Sequence, residues 1–406
     1  MALSANLHGH LSSVFGLAGG AKATWRCLEA AGLEVHPHDL QLNTHASIET
    51  IGNKSKSTQK AACLDLIHTN PNILQANPDL LAATQLQAPL RIGYWAWELE
   101  QFPQGWEIAF EGFDEIWCPS SFCARALSQR SPIPIATIPH LPDWLSLDKL
   151  ASKRLLQQRQ KGEGKGEGKG EGEGAGEGAT KSFQFLCLFD FWSTTERKNP
   201  AAVIKAFQKA FPSQNPGDPA VRLVMKSSSA EQFPREAKKL KSLSSNDPRI
   251  LWLDQLLPKT ELQDLYLESD ALVSLHRSEG FGLCIAEAMA TGLPVIATGY
   301  SGNLDFMPIG SAKLVPWHYC SINQTTGDYP RGAEWAEPSL EAATEHMREL
   351  ALDRLSSQQL GWTGQRAVKV LLGPERIAEQ VKQRLGSCLL APSRRELLQI
   401  TGISTQ

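Results

Sequence analysis

The chain lacks a surplus of charge: 40 Lys and Arg against 43 Asp and Glu leave a net −3 over 406 residues. Without a basic excess there is nothing to recruit nucleic acid or an anionic membrane by bulk electrostatics, so any phosphate must be held by a few local groups. Nowhere do about 18 apolar residues run together, and no Lys/Arg-led apolar core of signal-peptide type opens the sequence. The expectation is a cytosolic protein. The eight cysteines (27, 63, 118, 123, 187, 284, 320 and 388) contain no C-x-x-C pair. Cys118 and Cys123 lie closest, but no Cys/His pair at zinc spacing accompanies them, so the set reads as reduced, mostly buried thiols. No convincing Asp-x-Asp or histidine cluster offers a site for a divalent metal.

What is present is enough apolar residue for a soluble globular protein, 42 % against 20 % charged. The length exceeds one ordinary core and predicts two domains. Residues 161–178 alternate Gly with Lys or Glu and hold no apolar residue but Ala175. Such a stretch cannot offset its chain entropy by burial, and it predicts a linker or loop insertion between two apolar halves. The division expected is 1–150, a linker over 151–182, a second domain over 183–372, and a final helix with a tail over 373–406.

In the first half, Leu64–His68, Leu90–Tyr94, the run from Asp114 to Cys118 and Ile135–Ile138 read as strands, and 121–129 as a Ser-capped helix. A helix is predicted over about Ala21–Ala31, closed by Gly32. The loop holding Gly16, Gly19 and Gly20 feeds that helix and could serve an anion or sugar, or be only a tight turn, since it does not make G-x-G-x-x-G. After Tyr94 come Trp95, Trp97 and Glu98. Rings that stack on sugar C–H faces beside a carboxylate suit a carbohydrate site, whereas inward-packed aromatics and an ordinary helix-start Glu fit the same residues. His140, after the last strand of this half, is a site candidate or a structural loop residue.

The βα pattern restarts at Phe183–Phe189. Arg197 and Lys198 precede a helix predicted over Ala201–Ala210, where two cations and a helix N-terminus could share a diphosphate, or stand as surface charges. Val221–Met225 is a strand with Lys226 at its C-terminal end, the side on which ligands bind in open α/β sheets. Further strands are read at Arg249–Leu253 and Val295–Thr298, with Lys313–Pro316 as the last. Helices are read at 260–269, at about 339–355 and at 374–385.

The most informative stretch runs from Ala271 to Ala297. An apolar strand passes through a loop with Gly280 and Gly282 into a helix stopped by Gly292 and Pro294. Free N–H groups at such a helix start form an anion site. Glu279 stands before the helix and Glu287 more than a turn inside it, so the two could bracket a ligand whose phosphates rest on the amides of Gly280, Phe281, Gly282 and Leu283.

Ser278-Glu279-Gly280-Phe281-Gly282-Leu283 through Glu287 resembles the E-x7-E motif of retaining family-4 glycosyltransferases of bacterial type (glycosyl transferases group 1). Ile92–Glu98, Asp114–Trp117, Arg197–Pro200, Ser274–Arg277 and Gly299–Asn303 look like the same branch, so the similarity spans nearly the whole chain except the Gly/Glu/Lys insert and the tail. The resemblance implies an α/β GT-B fold, two Rossmann-like domains facing across a cleft, with a last helix crossing back to the first domain. It implies an acceptor on the N-terminal domain and a nucleoside-diphosphate sugar on the C-terminal one, with no cofactor and no metal. Glu279 would bind donor-sugar hydroxyls, Arg197, Lys198 and the Gly280–Leu283 amides the leaving diphosphate, and Glu287 the ribose; Lys226 would add to the donor side. Gly19, Gly20, Trp97, Glu98 and His140 are the acceptor-side candidates. The acceptor class expected is a glycan, a lipid-linked oligosaccharide or a small molecule, as in polysaccharide biosynthesis, with peripheral contact at the inner membrane face if it is a lipid. Two departures stand out. Where many members carry Gly-Arg before the Arg-Lys pair, this chain has Phe189-Asp190-Phe191-Trp192, and Trp95, Trp97 and Glu98 replace a common histidine after the 90–94 strand. Another GT-B enzyme, such as a phosphorylase or epimerase, and a non-catalytic nucleotide-sugar-binding protein are the alternatives.

Overall fold

Five consecutive buried residues make up the strand Leu64–His68, the continuous run that a parallel sheet covered on both faces demands. In the computed structural model, which describes residues 3–42, 62–82, 86–163, 182–212 and 219–390, this strand lies at the heart of a six-stranded sheet. Its chain order is β1 (Ser4–Gly9), α1 (Gly16–Ala30), β2 (Glu34–Asp39), β3 (Leu64–His68), α2 (Pro71–Ala76), α3 (Asp79–Ala82), β4 (Leu90–Tyr94), β5 (Glu115–Cys118), α4 (Ser121–Ser128) and β6 (Ile135–Thr137). The strands stand in the order β2-β1-β3-β4-β5-β6, every pairing parallel. Ser120 caps α4 by accepting a hydrogen bond from the Cys123 amide at 3.2 Å, the Ser-led start that the sequence predicts.

The chain then enters α5 (Trp144–Glu163) and a second sheet. Its elements are β7 (Phe183–Leu188), α6 (Thr195–Lys198), α7 (Pro200–Ala210), β8 (Val221–Ser227), α8 (Pro234–Ser244), β9 (Ile250–Asp254), α9 (Lys259–Glu268), β10 (Ala271–Ser274), α10 (Leu283–Ala290), β11 (Val295–Thr298) and β12 (Lys313–Val315). The strand order is β12-β11-β10-β7-β8-β9, again parallel throughout. After it come an antiparallel hairpin, β13 (Trp317–Ser321) with β14 (Glu334–Pro338), and the helices α11 (Leu340–Leu352), α12 (Arg354–Leu372) and α13 (Pro374–Leu390). Two doubly wound parallel sheets are the α/β architecture that the resemblance implies.

Several local expectations need correction. The glycines at 16, 19 and 20 are not a loop; α1 already begins at Gly16. The hairpin and α12 were not expected. Residues 144–163 form one helix that sides with the second sheet, neither closing a 1–150 domain nor opening a linker at 151. Buried Arg154 donates to the carbonyls of Thr291 and Ser269, both at 3.1 Å, and to that of Tyr266, while Gln158 accepts from Trp362 at 2.9 Å. The reason is a narrow buried stripe, Trp144, Leu147, Leu150 and Ala151, hidden in a sequence whose other positions are Lys, Arg and Gln. The Gly/Lys/Glu run after Glu163 lies outside the described residues, as does the tail after Leu390.

α13 returns to the first half, packing against α1. Its Arg384 donates to both oxygens of the buried Glu115 carboxylate, at 2.6 and 2.5 Å. At the start of the other passage, Trp144 donates its indole N–H to the carbonyl of Leu372 at 2.8 Å.

Candidate functional site

The site is built where the C-terminal ends of β7 and β10 meet α4 and the loop after β4. Arg197 and Lys198 sit on α6, a single turn bounded by two non-glycine residues in the left-handed region, Thr194 (φ 63°) and Asn199 (φ 52°). For β-branched Thr194 that conformation costs on the order of 1–3 kcal/mol and persists only where the surroundings enforce it. What enforces it is a set of bonds to the loop after β10. The Arg277 amide donates to the Arg197 carbonyl at 2.7 Å, and the Arg277 guanidinium to the Glu196 carbonyl at 2.7 Å.

The two cations converge on one carboxylate. Lys198 Nζ donates to Glu279 Oε1 at 2.6 Å, and Arg197 Nη1 reaches Glu279 Oε2 at 3.3 Å and the Ser278 carbonyl at 2.8 Å. Glu279 is only 6 % exposed. Burial by itself would raise its carboxyl, but Lys198 first and Arg197 next hold it down to about 2. Ser301 Oγ accepts from the Glu279 amide at 2.8 Å, which fixes the loop. His276, fully buried behind it, is pushed down to about 4 by burial.

From Glu279 the chain passes through Gly280 and Phe281 into α10. Gly282 takes the N-cap position with φ 89°, a conformation natural to glycine, and no side chain caps the helix. No side chain of the protein thus takes up the first-turn amides, an arrangement able to receive an anion at Leu283 and Cys284. Glu287 lies one turn further, half-buried, with the Tyr266 hydroxyl 3.4 Å from Oε2. Burial raises its carboxyl, with Arg26 of α1 pulling the other way. Lys226 is half-buried near the end of β8, its ammonium lowered by burial against the opposing charges of Asp190 and Asp254.

The first half supplies the opposite wall. Ser120 Oγ donates to the Gly280 carbonyl at 2.6 Å, and the Ser121 amide and hydroxyl both donate to Asp305 at 2.6 Å. Gly19 and Gly20 lie inside α1 against the same corner: a Cβ on Gly19 would stand 3.2 Å from Leu283 Cδ2, and one on Gly20 would meet His68 and His140 at 2.8–3.1 Å. His140 is buried, pushed down to about 3 by burial. Its ring stacks on Tyr94, whose hydroxyl is 3.1 Å from Nδ1, and meets Phe281 edge-on at 5.0 Å.

Trp97 is displaced from the candidate set. It is 4 % exposed, its N–H donates to the Gln101 carbonyl at 2.7 Å, and its ring packs among Trp106 and Tyr329, so no face is open to a sugar. Trp95 is equally buried. Glu98, next along, is in the cleft: Oε1 lies 3.8 Å from Arg197 Nη2. Sequence reasoning missed Tyr266, Ser301 and Tyr329. Ser301 falls in the Gly299–Asn303 loop that the resemblance had already marked; Tyr329 lies in an irregular stretch with no signal. Among the described residues no group of three or more His, Cys, Asp or Glu is placed to hold a metal ion.

Comparisons with known proteins bear on this geometry. Residues 184–316, which carry Arg197, Lys198, Lys226, Glu279 and Glu287, match the family described as "Glycosyl transferases group 1". Over 80 residues, 19 % of this chain, the sequence is 41 % identical to a sucrose synthase of Melioribacter roseus, and spans about a tenth of that protein, 10 % of its length. Over its whole extent the fold resembles the sucrose-phosphate synthase of Thermosynechococcus elongatus, with a TM-score of 0.63 at 16 % identity over 95 % of this chain and 99 % of that one. It also resembles an E. coli structure described as trehalose-6-phosphate bound with UDP-2-fluoro glucose, TM-score 0.60 at 10 % identity over 96 % and 100 %. At such identities the two structures speak for the fold, two Rossmann-like domains of GT-B type. Residues 184–316 thus match the group 1 glycosyltransferases, and the chain as a whole has the GT-B fold.

Proposed function

We propose that the protein is a retaining glycosyltransferase that moves a sugar from a nucleoside-diphosphate sugar to a glycan, lipid-linked or small-molecule acceptor on the cytosolic side. The observation that carries this reading is the convergence of Lys198 and Arg197 on Glu279 at the uncapped start of α10. As the bond from the sugar to the diphosphate breaks, negative charge grows on the leaving oxygen. Two fixed cations and helix-start N–H groups stabilise that charge without reorganising, the role a divalent ion fills in other enzymes. Glu279, held ionised, accepts hydroxyls of the donor sugar, and Glu287 on the next turn accepts those of the ribose. The two carboxylates have unlike partners and unlike environments, which does not suit an acid/base pair flanking a hydrolysed bond. Lys226 lies on the donor side. Support for a uridine nucleotide comes from the E. coli relative, bound with UDP-2-fluoro glucose; sucrose and trehalose-phosphate chemistry in the relatives suggests a small sugar as one acceptor class to try first.

The test is binding followed by turnover. A thermal-shift panel of nucleotide sugars should raise the melting temperature with one of them, by mass action. Lys198→Ala and Glu287→Ala should abolish that binding in folded protein. Unchanged UDP and GDP affinity in both variants would sink the reading. A donor that binds but never releases nucleotide would favour a non-catalytic binding protein instead.

A further inference from the structure

Beyond the donor residues, the cleft holds a buried polar chain that crosses between the two halves. The Tyr329 hydroxyl donates to Glu98 Oε2 at 3.0 Å, Glu98 Oε1 lies 3.8 Å from Arg197 Nη2, and Arg197 Nη1 reaches Glu279 at 3.3 Å. The guanidinium also lies over the Tyr329 ring, 6.0 Å from its centre. Arg197 and Tyr329 are buried, and the Glu98 side chain is 19 % exposed. Glu98 comes from the first half, just after β4. Tyr329 comes from the excursion between β13 and β14, whose Ile322 and Ala333, with Trp335 of β14, pack in one core cluster with Trp95, Trp106 and Phe110 of the first half. The aromatic residues after β4 thus serve to anchor this excursion, and the carboxylate beside them is aimed at Arg197.

We propose that Glu98 and Tyr329 are positioning residues for Arg197. They act through the guanidinium rather than by touching a sugar acceptor. The reasoning is electrostatic and geometric. On the donor side Arg197 bonds the Ser278 carbonyl and Glu279 through one nitrogen only, Nη1, and Glu279 is also claimed by Lys198 at the shorter distance of 2.6 Å. A planar guanidinium is oriented by acceptors on more than one edge. Glu98 supplies the second edge, and its own orientation is set by the Tyr329 hydroxyl. With Glu98 present the site carries two cations and two carboxylates, so Arg197 is held in place before any diphosphate arrives. Without it, Nη1 alone is held, and the rest of the guanidinium is free to turn about that nitrogen.

This rests on the reading of Arg197 as a cation facing the leaving group, so the experiment separates the two. The first measurement needs no turnover: the side-chain NMR signals of Arg197, assigned by their loss in Arg197→Lys. In the native protein the guanidinium N–H groups should show hindered rotation. In Glu98→Gln and Tyr329→Phe they should average. Asn72→Ala is the control, because Asn72 bonds Asp328 of the same excursion at 2.7 Å without contacting Arg197, and its Arg197 signals should match those of the native protein. Averaged signals already in the native protein, or hindered signals in folded Glu98→Gln, overturn the proposal.

The second measurement uses the donor identified by the panel. Glu98→Gln should lower kcat roughly tenfold to a hundredfold with donor KM changed less than about threefold, because an orienting error acts mainly on the transition state. Tyr329→Phe should lower it less, and the double variant should be no worse than Glu98→Gln alone. Native kcat in Glu98→Gln, or an equal loss in Asn72→Ala, overturns the positioning role. Correct NMR behaviour in a protein that turns over no nucleotide sugar would instead overturn the reading of the site and leave the positioning geometry standing.

Discussion

The Glu279 carboxylate offers a test of the site that needs no substrate. Its folded value, held down to about 2 by Lys198 and Arg197 against the raising effect of burial, compares with 4.5 for the free group. A carboxyl depressed on folding contributes stability that is fully present above the unfolded value and is lost as pH falls toward the folded one. The gap corresponds to on the order of 3 kcal/mol at neutral pH, and about 1 kcal/mol of it should be gone by about pH 3.5. The perturbation is Glu279→Gln, which removes the titration and keeps the shape. Urea midpoints followed by tryptophan fluorescence, at pH steps from about 6.5 down to 3.5, give stability curves for both proteins. The variant should be less stable at neutral pH, since Lys198 and Arg197 lose their partner, and the difference between the curves should narrow as pH falls. Parallel curves through that window would show that Glu279 is not the ionised, buried partner of the two cations, and the electrostatic account of the site would fail with it.

Two further outcomes follow from the close approaches and caps around this site. A Cβ on Gly302 would stand 2.2 Å from the Gly280 carbonyl oxygen, which Ser120 also holds, so Gly302→Ala should cost about 3 kcal/mol and weaken nucleotide binding together, measured by melting and by calorimetry on one sample. Arg154→Met keeps the buried stem but leaves three carbonyls of α9 and α10 without their shared donor; a loss of about 3 kcal/mol in urea stability is expected, with nucleotide affinity at a saturating temperature margin unchanged.

The strand, loop and helix around Glu279 were legible because their signals are local. A strand, a glycine loop and a helix start with carboxylates at fixed spacing need only short-range rules; that Lys198 and Arg197 bond the Glu279 carboxylate itself was not read from them, since the sequence reading gave the two cations a diphosphate. What escaped was set by tertiary contact. Trp97 and Glu98 are sequence neighbours with opposite fates, one ring in a core and one carboxylate in the cleft, and the pattern around them is the same for either. α12 contains Gly361 and Gly364, which on propensity alone argue against a helix; the structure requires a bare position there, since a Cβ on Gly361 would lie 2.2 Å from the Gly292 carbonyl. The Gly16–Gly20 stretch misled in the same way, its small residues serving contact with Leu283 and His140 rather than a turn. α5 was divided between the first domain and the linker because its buried face includes Arg154, whose partners are backbone carbonyls far along the chain. The β13–β14 hairpin is short, and three of the five residues of β13 are exposed.

The connection between Trp144 and Leu372 has a mechanical meaning. The chain leaves the first half just before α5 and returns to it just after α12, and the indole of Trp144 pins these two passages together with a single 2.8 Å bond. Two covalent links at one place define a pivot: the halves can turn about it but cannot slide apart. The angle of that rotation is then set elsewhere, by what Glu98 and Glu100 grip across the cleft, since Tyr329 donates to Glu98 at 3.0 Å and Tyr300 and Tyr319 both donate to Glu100 at 3.2 and 2.9 Å. An opening motion about that pivot must break those grips, and with them the Ser120–Gly280 and Ser121–Asp305 bonds, while the pivot stays whole.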